Sequence, residues 1–238
     1  MRTTSTYTLI KSTILVFFTL FAASISYAQS PNKLVKEATK LNNAKQYADA
    51  IVKLDLALSL DASNAKGYAQ RGLAHDKLKN TEAAAADYAV ASSLDNKEED
   101  YFFEAGRLHN DLLQHKEAVQ FLARALKLDK NNYMAYHEKI EAHMALRDFY
   151  MALEESQNAI GKNKTAQNYF FRGLANDSLQ NYKDAIDDYG KAIKKDKSLE
   201  EAYVGLGFTL VRTKDLDRAA EVCEELLVLN PENTGAYF

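Results

Sequence analysis

The 238-residue chain is poor in the residues that usually hold exported proteins together or mark a chemical site. It has one cysteine, Cys223, so no intrachain disulfide can form in any compartment. Cohesion must come from side-chain packing. Tryptophan is absent and proline occurs twice, which removes the ring best suited to stacking on sugars and most of the strong helix breakers. No Gly-x-Ser-x-Gly elbow, His-Glu-x-x-His pair, Walker loop or paired Cys-x-x-Cys is present, so motifs supply no catalytic, cofactor or metal constellation. Positive charge is not in excess either: 30 basic residues face 33 acidic ones, an unfavourable balance for nucleic acid.

The first 28 residues stand apart. They carry Arg2 and Lys11, then the apolar run Ile14–Ala23, then Ser26-Tyr27-Ala28 before Gln29, which is the order of a secretory signal peptide. The run is shorter than the roughly 20 apolar residues that a comfortable membrane span needs. Cleavage after Ala28 is expected; the rival is an uncleaved anchor built from residues 12–28, which would leave the remainder in the same compartment. No cysteine lies near the site, which excludes lipoprotein attachment. Removal leaves 28 basic against 33 acidic residues, so an exported, periplasmic or cell-envelope protein without a membrane span is expected.

What fills the remainder is a repeat. Ala50, Ala84, Ala118, Ala152, Ala185 and Ala219 follow one another at intervals of 34, 34, 34, 33 and 34 residues. A period of this length means stacked units before any propensity is counted. Other positions keep step: Leu34, Tyr68, Phe102, Tyr136, Tyr169 and Tyr203 fill one slot, and Ala38, Gly72, Gly106, Ile140, Gly173 and Gly207 come four residues later, on the same helix face. Seven residues after each alanine stands Ala57, Ala91, Ala125, Ala159, Ala192 or Leu226. Small residues at helical spacing let paired helices approach closely, and Ile140 should push those of its repeat slightly apart.

Over residues 31–233 this pattern resembles the tetratricopeptide repeat family, in six copies at about 31–64, 65–98, 99–132, 133–165, 166–199 and 200–233. The resemblance implies an all-α fold, a right-handed α-solenoid of stacked antiparallel helix pairs, as a domain over 29–238 behind the segment 1–28. Helix A of each repeat is expected near Asn32–Ala44, Lys66–Lys79, Asp100–Leu113, Met134–Leu146, Gln167–Leu179 and Glu201–Arg212, and helix B is expected to begin near Ala48, Glu82, Lys116, Tyr150, Lys183 and Asp217. The family's proline near the repeat end survives only at Pro231. One residue before that place stand Asp61, Asp95, Asp129, Asn163, Asp196 and Asn230, whose side chains can close a turn by accepting from nearby backbone donors.

Three features invite chemistry, and each has a structural explanation. His75, His109 and His143 recur once per repeat. Helix axes about 8–10 Å apart and Zn–N bonds of about 2.0–2.1 Å keep adjacent rungs from sharing an ion. Asn176 continues the series, so a partly buried polar ladder is expected rather than a metal site. Gly205-Leu206-Gly207 has the first half of a dinucleotide loop but falls inside a helix, where small residues serve packing. Cys223 takes the slot of Leu54, Tyr88, Leu122, Ser156 and Tyr189, that of an interior, unreactive thiol. Neither a cofactor nor an enzymatic activity is expected.

The resemblance further implies that the A helices line a concave groove that takes extended peptides or helices of other proteins. On that reading Leu73, Asp76, Phe103, Arg107, Met134, His137, Glu141, Met144, Phe170, Leu174, Asp177, Val204 and Phe208 form a protein-binding groove. Its acids outnumber its bases, so an apolar segment with basic side chains is the expected ligand. The family's clamp for a C-terminal carboxylate is not reproduced, since Val35 and Thr39 replace its Lys and Asn and Asp100 and Glu104 would repel the ligand. The expected function is a non-enzymatic scaffold or adaptor in envelope assembly or organisation; the alternative is a carbohydrate-binding accessory protein, against which the missing tryptophan counts. Val222, Leu227 and Val228 give the last B helix more apolar surface than one pair can bury, and Tyr237 falls on the aromatic slot of a further A helix. Self-association through the C-terminal repeat is therefore expected.

Overall fold

The computed structural model describes residues 30–236; the expected signal segment, 1–28, and Tyr237 lie outside them. Among the described residues there are twelve α-helices, a 3₁₀ turn at Thr234–Ala236 and no strand. They pair as α1 (Pro31–Asn43) with α2 (Tyr47–Leu60), α3 (Ala65–Lys77) with α4 (Thr81–Leu94), and α5 (Glu99–Asp111) with α6 (His115–Leu128). Then come α7 (Tyr133–Ala145) with α8 (Phe149–Lys162), α9 (Ala166–Ser178) with α10 (Tyr182–Lys195), and α11 (Glu200–Arg212) with α12 (Leu216–Leu229). Each B helix starts one residue before its expected position. The chain forms two compact units, one ending at Asp95 and holding α1–α4, the other starting at Asn96 and holding α5–α12. None of the described helices is long and apolar enough to cross a membrane.

Within each unit the helix pairs stack as solenoid repeats, and the small residues set their spacing. Ala50, Ala84, Ala118, Ala152 and Ala185 are wholly buried. A Cβ added to Gly72 would lie 2.9 Å from the Tyr88 ring, and one added to Gly106 would lie 2.6 Å from Leu122. Alanine is already too large there. Ile140 takes the same slot in the fourth repeat; α7/α8 are in less extensive contact than α3/α4, α5/α6 and α9/α10, but so are α11/α12, which carry Gly207, and the Ile140 slot alone does not account for the difference. Its side chain is nevertheless fully buried, packed with Ala152, Phe171 and Ala175.

The two kinds of turn have different chemistry. Every A helix ends with a left-handed residue that is not glycine: Lys45, Lys79, Leu113, Arg147, Gln180 and Lys214 all have φ between 59° and 64°. In α5, the Leu113 N–H donates to the Asn110 carbonyl and the Gln114 N–H to the His109 carbonyl, and the corresponding pair of bonds closes the other five. This is the Schellman arrangement, in which glycine is the usual left-handed residue because it carries no Cβ penalty. The turns from B to A use the acidic residues as expected. The Asp61 carboxylate accepts from the Ser63 N–H at 3.0 Å, Asp129 from Asn131 at 2.8 Å and Asp196 from Ser198 at 2.9 Å.

A further interaction recurs within pairs. Arg71 donates through Nε and Nη2 to both oxygens of Asp87 at 2.9 and 2.7 Å, and Arg172 does the same to Asp188 at 2.8 and 2.6 Å. Lys139 reaches Glu155 at 2.6 Å in the fourth repeat. The acids are buried, with Asp188 2% exposed, so their charge depends on the cation from the A helix. The partner carboxylate holds the Arg71 and Arg172 guanidinium pKa above the ordinary value.

Three outcomes are expected. Ala185→Leu overpacks the α9/α10 contact and costs about 1–3 kcal/mol, with hydrogen-exchange protection lost mainly in the neighbouring repeats. Leu113→Gly relieves the left-handed backbone at a side chain that is 77% exposed. It should raise stability by about 0.5–1 kcal/mol in urea melts. Arg172→Ala leaves the buried Asp188 with the longer contacts to Lys191 at 3.6 Å and Asn176 at 3.3 Å and should cost up to about 3 kcal/mol, whereas Arg172→Lys should cost less.

Candidate functional site

The residues expected along one face of the A helices meet different surroundings once the helices pack. In the first unit, Leu73 and Asp76 of α3 are half-buried. In the second, Phe103 of α5 is only 9% exposed and lies in a core cluster with Phe102, Leu122 and Leu126, to which α7 adds Ala135 and Tyr136. Its ring is therefore core rather than an open anchor. Arg107 is held by its own helix, 2.9 Å from Glu104 and 3.1 Å from Asp111. Met134 and Glu141 are exposed, and Met144 packs on the Ile140 cluster.

His137 has a structural task. Its Nε2 lies 2.6 Å from Asn168 Oδ1 and its ring 5.0 Å from that of Phe171. Asn168 in turn donates to the carbonyls of Ala159 and Asn163 at 3.1 and 2.6 Å, which fixes the turn between α8 and α9.

The remaining five predicted residues come together. Phe170, Leu174 and Asp177 from α9 and Val204 and Phe208 from α11 line one open cavity of about 770 Å³, completed by Tyr189, Glu201, Arg212 and Asn233. Phe170 leans on Phe171 and Tyr189, with ring centroids 5.6 and 6.1 Å away, while Phe208 remains 42% exposed. Gly205 is explained by packing, since a Cβ there would lie 2.7 Å from Tyr189. Burial raises the Tyr189 phenol pKa and nearby Asp177 adds to the effect, so this hydroxyl stays protonated.

The acids of this cavity are unequal. Asp177 accepts from Thr209 Oγ1 at 3.0 Å and from the Arg212 guanidinium. Glu200 accepts from Asn230 Nδ2 at 3.0 Å and from Asn233, which pins the turn after α12. Glu201 is exposed and has no ion pair among the described residues, so it is the rim charge open to a ligand. Arg212, Thr209, Tyr189 and Asn233 were missed by counting groove positions. The available signal was the 35-residue step from Asp177 to Arg212, which joins one A helix to the next.

The histidine series uses a common local geometry. His75, His109 and Asn176 each face the residue five places on, with His109 Nδ1 2.6 Å from Gln114 Oε1 and its ring stacked 5.1 Å from Phe121. His143 also faces the residue five places on, but its Nδ1 lies 3.8 Å from the Asp148 carboxylate, beyond hydrogen-bond distance, so both buried ring nitrogens are left without a hydrogen bond. Among the described residues no group of three His, Cys, Asp or Glu side chains could hold a metal ion. Cys223 is half-buried, and its burial raises the thiol pKa, away from the reactive thiolate.

Three segments, 99–132, 166–198 and 200–233, match the family model described as Tetratricopeptide repeat. In these three segments the chain is similar to tetratricopeptide repeats. The periods 31–64, 65–98 and 133–165 fold as the same helix pair. Residues 41 to end of MamA from Desulfovibrio magneticus RS-1 superpose with a TM-score of 0.66 at 22% identity, covering 71% of this chain and 97% of that one. PilW, a widely conserved type IV pilus biogenesis factor, gives 0.67 at 16% identity over 87% of this chain and 96% of its own. YrrB, a tetratricopeptide repeat protein with an unusual peptide-binding site, gives 0.64 at 19% over 77% and 95%. Serine/threonine-protein phosphatase T of Aspergillus oryzae is 28% identical over 108 residues, 44% of this chain but only 23% of that protein.

Burial lowers the pKa of both His137 and His143 below the ordinary histidine value, and Lys139 lowers that of His143 further. The unfolded chain therefore takes up protons that the folded chain resists, so stability falls as the pH drops below the ordinary histidine pKa and is unaffected above it. Between about pH 7.5 and about pH 5.5 the thermal midpoint should fall more in the wild type than in His143→Phe, as read by circular dichroism.

Proposed function

We propose that this chain is a non-enzymatic scaffold that holds other proteins in the cavity between α9 and α11, taking an apolar segment that carries Lys or Arg. The cavity itself carries the reading. Its floor is apolar, its volume of about 770 Å³ suits two or three side chains, and Glu201 stands at its rim. Apolar floors with a few placed polar groups are the usual form of a binding site, and rim charges select the sign of the ligand. The fold shared with a protein that has a peptide-binding site supports the same reading. A sugar is the weaker occupant, because Phe170 turns onto Phe171 and Tyr189 and leaves Phe208 as the exposed ring. The order of residues 2–28 supports export to the periplasm or cell envelope, where such a scaffold would serve assembly or organisation; N-terminal sequencing of the mature protein should begin at Gln29.

The test is a peptide array probed with the mature chain. Apolar peptides with Lys or Arg should be enriched, Phe208→Ala should weaken binding about tenfold at an unchanged melting temperature, and Glu201→Lys should abolish the basic preference. A loss of about 3 kcal/mol of stability in Phe208→Ala would place the ring in the core and overturn the reading. Enrichment of acidic peptides, or binding only on a glycan array, would overturn it as well.

A further inference from the structure

Two surfaces that do not belong to that cavity carry charge of opposite sign. The first belongs to α12, of which only Ala219 and Leu226 are buried. Its open side presents Val228, 85% exposed, and Leu229, 41% exposed, beside the exposed Glu221, Glu224 and Glu225. With Tyr203 and Lys197 these residues border a shallow cavity of about 710 Å³.

The second surface lies in the first unit, in a slot of about 490 Å³ between α1 and α3. It is lined by Asn32, Thr39 and Asn64 with the exposed Lys36, Lys40 and Lys66, and the buried Val35 lies beneath them. No acid lines it. The nearby Glu37 is already 2.9 Å from Lys53, whereas none of Lys36, Lys40 and Lys66 has an ion pair among the described residues. Glu221, Glu224 and Glu225 likewise have none.

We propose that the chain self-associates through two different surfaces, with the open face of α12 of one copy seated on the α1–α3 slot of a second copy. Val228 and Leu229 meet the lysine stems, and the three glutamates meet the three lysines. Charge complementarity names the occupant, because both halves of the matching pair are on this one chain. Pairing of α12 with α12 about a two-fold axis would instead press three glutamates against three more, which disfavours it. Two different surfaces make the contact heterologous, so each copy leaves both kinds of surface available for a further copy unless the rotation closes a ring.

Sedimentation velocity of the full mature chain across the micromolar range tests this, using a first variant with Lys36→Glu, Lys40→Glu and Lys66→Glu and a second with Glu221→Lys, Glu224→Lys and Glu225→Lys. All six sites are exposed, and circular dichroism establishes that each variant is folded. The wild-type sedimentation coefficient should rise with concentration, and raising salt from about 0.05 M to about 0.5 M should weaken association about tenfold or more. Each variant alone should be monomeric, since like charges then face each other. An equimolar mixture should regain association, because every altered surface finds a complement. Val228→Glu should weaken self-association with the charges left in place. A wild-type chain that is monomeric throughout overturns the proposal, as does a mixture that stays monomeric. A first variant that associates as the wild type does overturns it in favour of contact through α12 alone.

Discussion

The structure depends on how closely the two helices of each pair approach. That approach needs a residue no larger than alanine on the B helix and glycine or alanine at most of the facing A-helix slots. The clearest sign is negative: a methyl group added at Gly106 would come within 2.6 Å of Leu122. Close approach also shapes the electrostatics, since it brings an A-helix Arg or Lys across the pair to an acid sealed from water. Such a pair adds little net stability over an apolar one, because desolvation offsets most of the attraction.

Side chains on the A helices not consumed by pairing are what the chain has left for binding. They do not stay equivalent. Phe103 is covered by α7, whereas Phe208 lies over a cavity whose depth comes from Gly205 pressing against Tyr189. Asp177 ties α9 to α11 through Thr209 and Arg212, and this leaves Glu201 to set the sign of the rim. Among the described residues the helix pairs thus make a cavity of about 770 Å³ between α9 and α11, a basic slot on α1–α3 and an acidic face on α12.

The repeat period, the helix boundaries to within a residue or two and the buried alanine slots were legible in the sequence, because each reflects local geometry repeated six times. So was the use of Asp61, Asp129 and Asp196 to close turns, since an Asx bond spans two residues. The left-handed residues at Lys79 and Leu113 were hidden: nothing in a lysine or leucine announces positive φ, and the Schellman bonds that impose it arise from the helix end itself. The ion pairs recur sixteen residues apart in three repeats, a spacing visible in the letters but meaningless until helices A and B are folded together.

The sequence by itself determined that this is a stack of helix pairs held by packing alone, because one cysteine, two prolines and a 34-residue period leave no other solution. Which side chains are open was decided only in the tertiary structure. Positions one period apart have the same helix face but different neighbours, and burial is a property of the neighbour. Phe103 therefore went to packing, Phe170 is shared between packing and the cavity, and Phe208 is the most exposed of the three rings.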